Sequence, residues 1–173
     1  MSEQTLRRLV RPIDALSAWT GRVVALLILP LVAGLTWEVV ARYLLHAPTE
    51  WAYDLSYMLY GSHFMLGAAY TLWRGGHIRT DIFYQNWPLR RRAMIDATLY
   101  LLFFFPGIAF FFWMGWQEAT HAFAIGERAE TTAWQPPLWP LKMVVPVAAV
   151  LLLLQGVAEF VRSLYAARTG KQL

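Results

Sequence analysis

The fold is decided by an uninterrupted apolar stretch at residues 97–116, which reads ATLYLLFFFPGIAFFFWMGW. None of these residues carries a formal charge. At a rise of about 1.5 Å per residue, twenty helical residues cover about 30 Å, the thickness of the hydrocarbon core of a bilayer. A lone strand would leave its backbone groups without partners in lipid. The stretch therefore predicts a transmembrane helix.

Three further apolar stretches reach a similar length, at either side of this one. The first has no charge between Arg22 and Glu38, and the last contains only Lys142 near its start and Glu159 near its end. The sequence predicts an all-α integral membrane protein that forms a single four-helix domain over residues 1–173. The predicted spans cover about residues 19–41, 52–73, 94–117 and 138–161, with proline kinks at Pro30, Pro106 and Pro146.

The composition supports a membrane protein. The chain is 58% hydrophobic and 15% charged, whereas a soluble domain is about 25% charged. Cysteine is absent, which excludes disulfides, thiolate metal sites and cysteine nucleophiles. The net charge of +4 comes from arginines beside apolar runs, which favours a membrane surface over nucleic acid as the partner.

The distribution of Arg and Lys predicts the orientation. Arg42, Arg128 and Lys142 lie on one side of the predicted spans, and the other twelve lie on the opposite side. Cytoplasmic loops carry the excess of positive charge, so both termini are expected in the cytoplasm. The twelve are Arg7, Arg8, Arg11, Arg22, Arg74, Arg79, Arg90, Arg91, Arg92, Arg162, Arg168 and Lys171.

The segment before the first span has its own amphipathic pattern. Apolar residues recur every three to four positions from Leu6 to Leu16, beside three arginines. This pattern predicts a short helix in the membrane interface, which Pro12 would break or restart. A solvated, partly ordered arm is the alternative. The long apolar region without a small-residue cleavage site argues against a cleaved signal peptide.

Several polar residues fall inside the predicted spans. Glu38 and Arg42 lie one helical turn apart, and we interpret them as a structural ion pair. His63 lies near the middle of the second span, and we expect it to hydrogen-bond across a helix interface. A stripe of Ser56, Tyr60, His63, Gly67 and Tyr70 predicts a helix contact, either within this bundle or with another subunit. The sequence leaves both alternatives open.

The sequence contains no catalytic or metal-binding motif. It has no glycine-rich phosphate loop, nucleophile elbow or HExxH motif, so an enzyme is not expected. A bis-histidine haem needs two histidines at similar depth on different helices, and only His63 lies deep in a span. We therefore expect no cofactor. The loop from Glu118 to Pro137 is acidic and aromatic, and it is either a docking surface or a solvated connector.

The order and spacing of several motifs resemble one transporter family. They are WEVVARY at residues 37–43, AYTL at 69–72, HIRTD at 77–81 and LLQG at 153–156. Together they resemble the small membrane subunit, or DctQ-like subunit, of tripartite ATP-independent periplasmic (TRAP) transporters. The resemblance covers most of residues 20–160. Asp54 departs from the family, because many members place a glutamate or a pair of acids near this position.

The resemblance implies a scaffold role in a heteromeric complex of the bacterial inner membrane. A large multi-span subunit would carry the substrate and sodium sites, and a periplasmic binding protein would deliver an organic acid for symport. With this role in view, we predict three groups of contact residues. Lipid headgroups would be bound by Arg7, Arg8, Arg11, Arg90, Arg91 and Arg92; helix or subunit contacts would involve Glu38, Arg42, Ser56, Tyr60, His63 and Gly67; the binding protein would contact Glu127, Arg128 and Glu130.

Two rival functions remain open at this stage. A membrane-anchor subunit of a respiratory enzyme would hold quinone or haem between its helices. A self-assembling channel or small transporter would need polar groups in the centre of its spans, and few are present.

Overall fold

The computed structural model describes residues 3–76 and 87–173, and these residues are mainly helical. A two-residue turn at Leu26 and Leu27 separates the first two helices, and a π-helical turn, Tyr100–Phe104, joins the fourth to the fifth. Within the described residues, β pairing is limited to one isolated bridge between Arg128 and Pro137. The helices are α1 Glu3–Ala25, α2 Ile28–Tyr43, α3 Ala52–Trp73, α4 Leu89–Leu99, α5 Phe105–Ile125 and α6 Trp139–Thr169.

The helices form four columns: α1 with α2, α3, α4 with α5, and α6. Column α1–α2 runs antiparallel to α3, and column α4–α5 runs antiparallel to α6, as the facing residue pairs show. This arrangement gives the bundle two distinct ends. We call the end with Glu3, Leu89 and Thr169 the terminal end. The loop end holds residues 44–51 and 126–138.

Within residues 3–76 and 87–173, three helical segments are long and apolar enough to cross a membrane. They are Glu3–Tyr43, Leu89–Ile125 and Trp139–Thr169. Helix α3 has 22 residues, which is sufficient length, but its most apolar stretch does not reach the hydropathy of those in the other three segments. Its tyrosines, Asp54 and His63 lower its mean hydropathy. The structure therefore gives three candidate spans where the sequence predicted four.

The second predicted span, 52–73, coincides with α3, whereas the other helices extend beyond their predicted spans. Helix α1 runs without a break through Pro12, so the prediction of a separate N-terminal helix that ends or restarts there was wrong. The third span extends to Ile125 and the last to Thr169, where Gly126 and Gly170 adopt positive φ angles of 64° and 71° and end the helices. Consequently the loop predicted to begin at Glu118 begins only after α5.

Two of the three predicted proline kinks coincide with an irregular helix. In a regular α-helix the Leu26 carbonyl would accept a hydrogen bond from the N–H of residue 30, but Pro30 has no N–H. The carbonyl accepts instead from the Leu29 N–H at 3.1 Å. The π-helical turn immediately precedes Pro106. Pro146 differs, because α6 continues through it and the proline is fully buried.

Small residues form the core between the helices. Ala119, Ala149 and Ala158 have no exposed surface, whereas large apolar side chains such as Leu29 and Phe103 point outward. This distribution is typical of membrane helices, whose packing depends on close backbone approach through small residues.

Candidate interaction sites

A partly buried polar network joins α1 to α6, from the middle of α6 towards the terminal end. Gln155 is fully buried and accepts a hydrogen bond from the Ser17 hydroxyl at 2.7 Å. Its amide donates to Asp14 Oδ1 at 3.2 Å and to Glu159 Oε1 at 3.0 Å. Arg162 forms ion pairs with Asp14 and Glu159. The network thus places one guanidinium and one amide between two carboxylates.

The network is complete in its hydrogen bonding. Among the described residues, no buried side-chain nitrogen or oxygen lacks a partner. This matters because an unpaired polar group costs several kcal/mol in an apolar environment. The five residues come from separate ends of the chain, so the network forms only when α1 lies against α6. We will refer to Asp14, Ser17, Gln155, Glu159 and Arg162 as the terminal network.

The loop end is held by a second set of polar contacts. Lys142 Nζ lies 2.7 Å from Glu118 Oε1 and 2.5 Å from Glu127 Oε2, and so joins α5, the following loop and α6. The Thr132 hydroxyl donates to the carboxylate of Asp54, which is buried. This bond fastens the same loop to α3. Asp54, which carries the departure from the family pattern, therefore has a structural contact.

A third contact closes the turn between α2 and α3. Arg42 donates to Glu38 Oε1 through Nε at 2.8 Å and through a terminal nitrogen at 2.5 Å. The other carboxylate oxygen of Glu38 accepts from the Thr49 backbone N–H at 2.9 Å and from its hydroxyl. The four-residue spacing predicted the ion pair, but it gave no signal for Thr49.

His63 hydrogen-bonds across a helix interface. Its Nδ1 lies 3.0 Å from the Val24 carbonyl oxygen in α1. A carbonyl only accepts, so Nδ1 carries the proton in this contact. Val24 lies just before the irregular turn that precedes Pro30, and its carbonyl also accepts from Leu27.

Of the other residues in the predicted stripe, Tyr70 packs against Gly21 of α1, whereas Tyr60 and Gly67 are not packed inside the bundle. Tyr60 is exposed, and a Cβ added at Gly67 would meet nothing within 4 Å. The close helix contacts lie at other glycines. An added Cβ would lie 2.4 Å from the Tyr70 ring at Gly21, 2.7 Å from Val145 at Gly115 and 2.2 Å from Phe104 at Gly156. Sequence reasoning missed these three, although isolated glycines within apolar spans were their signal.

The predicted lipid-anchor arginines lie at the terminal end, and they differ in exposure and in whether they bond to another residue of the chain. Arg7 pairs with Glu3 at 3.0 Å, and Arg92 Nε donates to the Trp87 carbonyl at 2.8 Å. The exposed residues of the group are Arg7, Arg8, Arg11, Arg90 and Arg91. Arg79 and the HIRTD motif lie outside the described residues.

The three residues predicted to contact the binding protein differ in whether they already bond to another residue of the chain. Glu127 is engaged by Lys142, and Arg128 donates to the Gln135 carbonyl at 3.1 Å. Glu130 is exposed, and within residues 3–76 and 87–173 it takes part in no ion pair. Of the three, Glu130 is therefore the side chain that a partner could contact without breaking an internal bond.

Two grooves flank an exposed row of tyrosines on α3. We call Tyr53, Tyr57 and Tyr60 the tyrosine ridge; each is more than half exposed. A groove of about 750 Å³ lies between the ridge and α6, and another of about 440 Å³ lies between the ridge and α2. The three tyrosines line both grooves.

One comparison with known proteins is positive. The chain matches the family model described as "Tripartite ATP-independent periplasmic transporters, DctQ component" over residues 31–166. No curated protein matches the chain. In the part of the chain that the structure describes, no group of three or more His, Asp or Glu side chains is arranged to hold a metal ion.

Proposed function

The chain belongs to the DctQ component family of tripartite ATP-independent periplasmic transporters, and we propose that it is the scaffold of its transporter. A DctQ component is the small membrane subunit of such a transporter and not an enzyme. In this proposal the chain braces the large multi-span subunit during sodium-coupled symport of an organic acid. The acid is delivered by a periplasmic binding protein.

The observation that carries the scaffold proposal is the terminal network. A moving transport element needs a fixed frame, and a frame needs helices that do not slide past one another. The network joins α1 to α6 through a fully buried glutamine and the ion pair between Asp14 and Arg162. Close packing at Gly21, Gly115 and Gly156 holds the remaining columns. Such contacts favour a single rigid arrangement of helices.

We further propose that the terminal end is cytoplasmic and that all four columns cross the inner membrane. The family and the apolar helices indicate an inner-membrane protein. The fold supports the topology because α1 begins, α4 begins and α6 ends at the same end of the bundle. Most of the arginines lie at this end, as the positive-inside rule requires of a cytoplasmic surface. The terminal-end arginines would then contact lipid headgroups.

At the opposite end, Glu127, Arg128 and Glu130 are proposed as contacts for the periplasmic binding protein. They lie in the loop that Lys142 and Asp54 fasten to the bundle. A fastened loop presents its charges at fixed positions, which favours specific docking over nonspecific attraction.

Co-purification tests the scaffold proposal. The chain would be tagged, expressed from its native operon, extracted in detergent and analysed by mass spectrometry. We expect a larger multi-span subunit at near-equal amount, and loss of organic-acid uptake when the small subunit is deleted. Recovery of the chain alone, or together with a coloured redox enzyme, would contradict the proposal. The latter result would support a respiratory membrane anchor, which the family match does not favour.

A further inference from the structure

Two exposed faces of this molecule differ in chemistry. The face presented by the π-helical turn and α5 is pure hydrocarbon and aromatic carbon at Leu101, Leu102, Phe103 and Phe110. The face presented by α3 carries the phenol groups of the tyrosine ridge. Only the first face suits the hydrocarbon of lipid tails.

The depth of the ridge makes its hydroxyl groups costly in lipid. Tyr60 lies eight residues into α3, which is about 12 Å from the start of the helix at 1.5 Å per residue. An interfacial aromatic belt explains Tyr53 but not a phenol two turns deeper. Within residues 3–76 and 87–173, none of the three ridge phenols has a hydrogen-bond partner. A hydroxyl left without a partner in hydrocarbon costs free energy.

The shape and charge of the surface fit another membrane helix. Helices pack when a row of side chains on one enters the groove beside a row on the other, and the ridge has a groove on each side. The loop end of the α6-side groove is acidic. Its charged lining residues are Asp54, Glu130 and Lys142. The ammonium group of Lys142 is already paired with Glu118 and Glu127. A partner helix with a basic residue at this end would complement it.

We propose that the tyrosine ridge and its two grooves are the surface on which the large subunit docks. This inference rests on the proposed function, since it needs a large membrane subunit. The partner presents an apolar helix that hydrogen-bonds the ridge phenols and carries a Lys or Arg near the loop end. The α5 face, in contrast, contacts lipid.

Site-specific photo-crosslinking tests the assignment in the intact complex. p-Benzoylphenylalanine would replace Tyr57, Tyr60 or, as the control, Trp116 of α5. Trp116 lies nine residues from the end of α5 and is 47% exposed, against 61% for Tyr60. After irradiation of native membranes, mass spectrometry would identify each adduct. We expect adducts with the large subunit at Tyr57 and Tyr60, and none with it at Trp116.

The outcomes separate this inference from the proposed function. If the large subunit co-purifies but crosslinks only at Trp116, the ridge assignment is wrong and the scaffold proposal stands. Ridge adducts with lipid, or with a second copy of this chain, would likewise overturn the assignment. Failure of any large subunit to co-purify would overturn both.

A second variant asks whether the hydroxyl groups contribute to docking. The double substitution Tyr57→Phe and Tyr60→Phe keeps both rings and removes both phenols. We expect loss of the large subunit from the purified complex at detergent concentrations that the wild type withstands. Tyr43→Phe, at the exposed end of α2, is the matched control and should retain the subunit. Equal retention by both variants would contradict hydrogen bonding through the ridge.

Discussion

The two ends of the bundle use polar contacts in different ways. At the terminal end, the contact between Ser17 and Gln155 joins residues 138 positions apart, and that between Asp14 and Arg162 joins residues 148 apart. At the loop end, Lys142 pairs with Glu127 and Arg42 with Glu38 over separations of 15 and 4 residues, and the longest separation is the 78 residues between Thr132 and Asp54. Contacts between distant segments exist only in the assembled bundle, whereas local contacts shape a loop. The terminal network therefore stabilises the association of the first and last helices, whereas most loop-end contacts position a surface.

Removing Arg162 is expected to have the largest effect. Arg162→Met would leave the carboxylates of Asp14 and Glu159 facing each other without a counter-charge. Leaving partly buried hydrogen-bonding groups without a partner costs about 1–3 kcal/mol of the free energy of unfolding. We expect a lower Tm for the purified protein, measured in one detergent at one protein concentration.

Arg168→Met is the control for this substitution. Arg168 is exposed in the last turn of the same helix, and within the described residues it forms no ion pair. Its replacement should leave Tm nearly unchanged. Equal Tm values for the two variants would mean that the terminal network does not stabilise the bundle.

Two glycines provide the next prediction, with a smaller effect. Gly21→Ala would place a Cβ 2.4 Å from the ring of Tyr70 and 2.6 Å from its Cβ, so α1 or α3 must shift. Such overpacking costs about 1–3 kcal/mol. Gly67→Ala meets nothing within 4 Å, and Ala favours a helix over Gly by about 1 kcal/mol. We expect a lower Tm for the first variant and an equal or higher Tm for the second; the reverse order would show that α1 and α3 do not pack as described.

The sequence predicted the features that depend on residues close together in the chain. The length of the apolar stretches predicted the three candidate spans, and the four-residue spacing predicted the pair of Glu38 and Arg42. The ends of the third and last helices were predicted too early, because polar residues such as Glu118 continue a helix beyond its apolar part. The terminal network was missed because its members are far apart in sequence. The sequence around Asp14 and Gln155 does not indicate which residues they contact.

The last prediction concerns docking at the loop end and has the smallest expected effect. Glu130→Lys should weaken capture of the binding protein by the purified complex a few-fold at low salt, with little change in Tm. A single exposed charge acts mainly on the rate of association, and salt screens it.

Glu50→Lys is the matched control, because Glu50 is an exposed acid in the other loop at the same end. If both reversals weaken capture equally, the general negative field of this end attracts the binding protein and Glu130 is not a specific contact. If neither changes capture, the loop is only a connector. A drop in Tm for Glu130→Lys would contradict the division between the two ends, since Glu130 would then contribute to the fold.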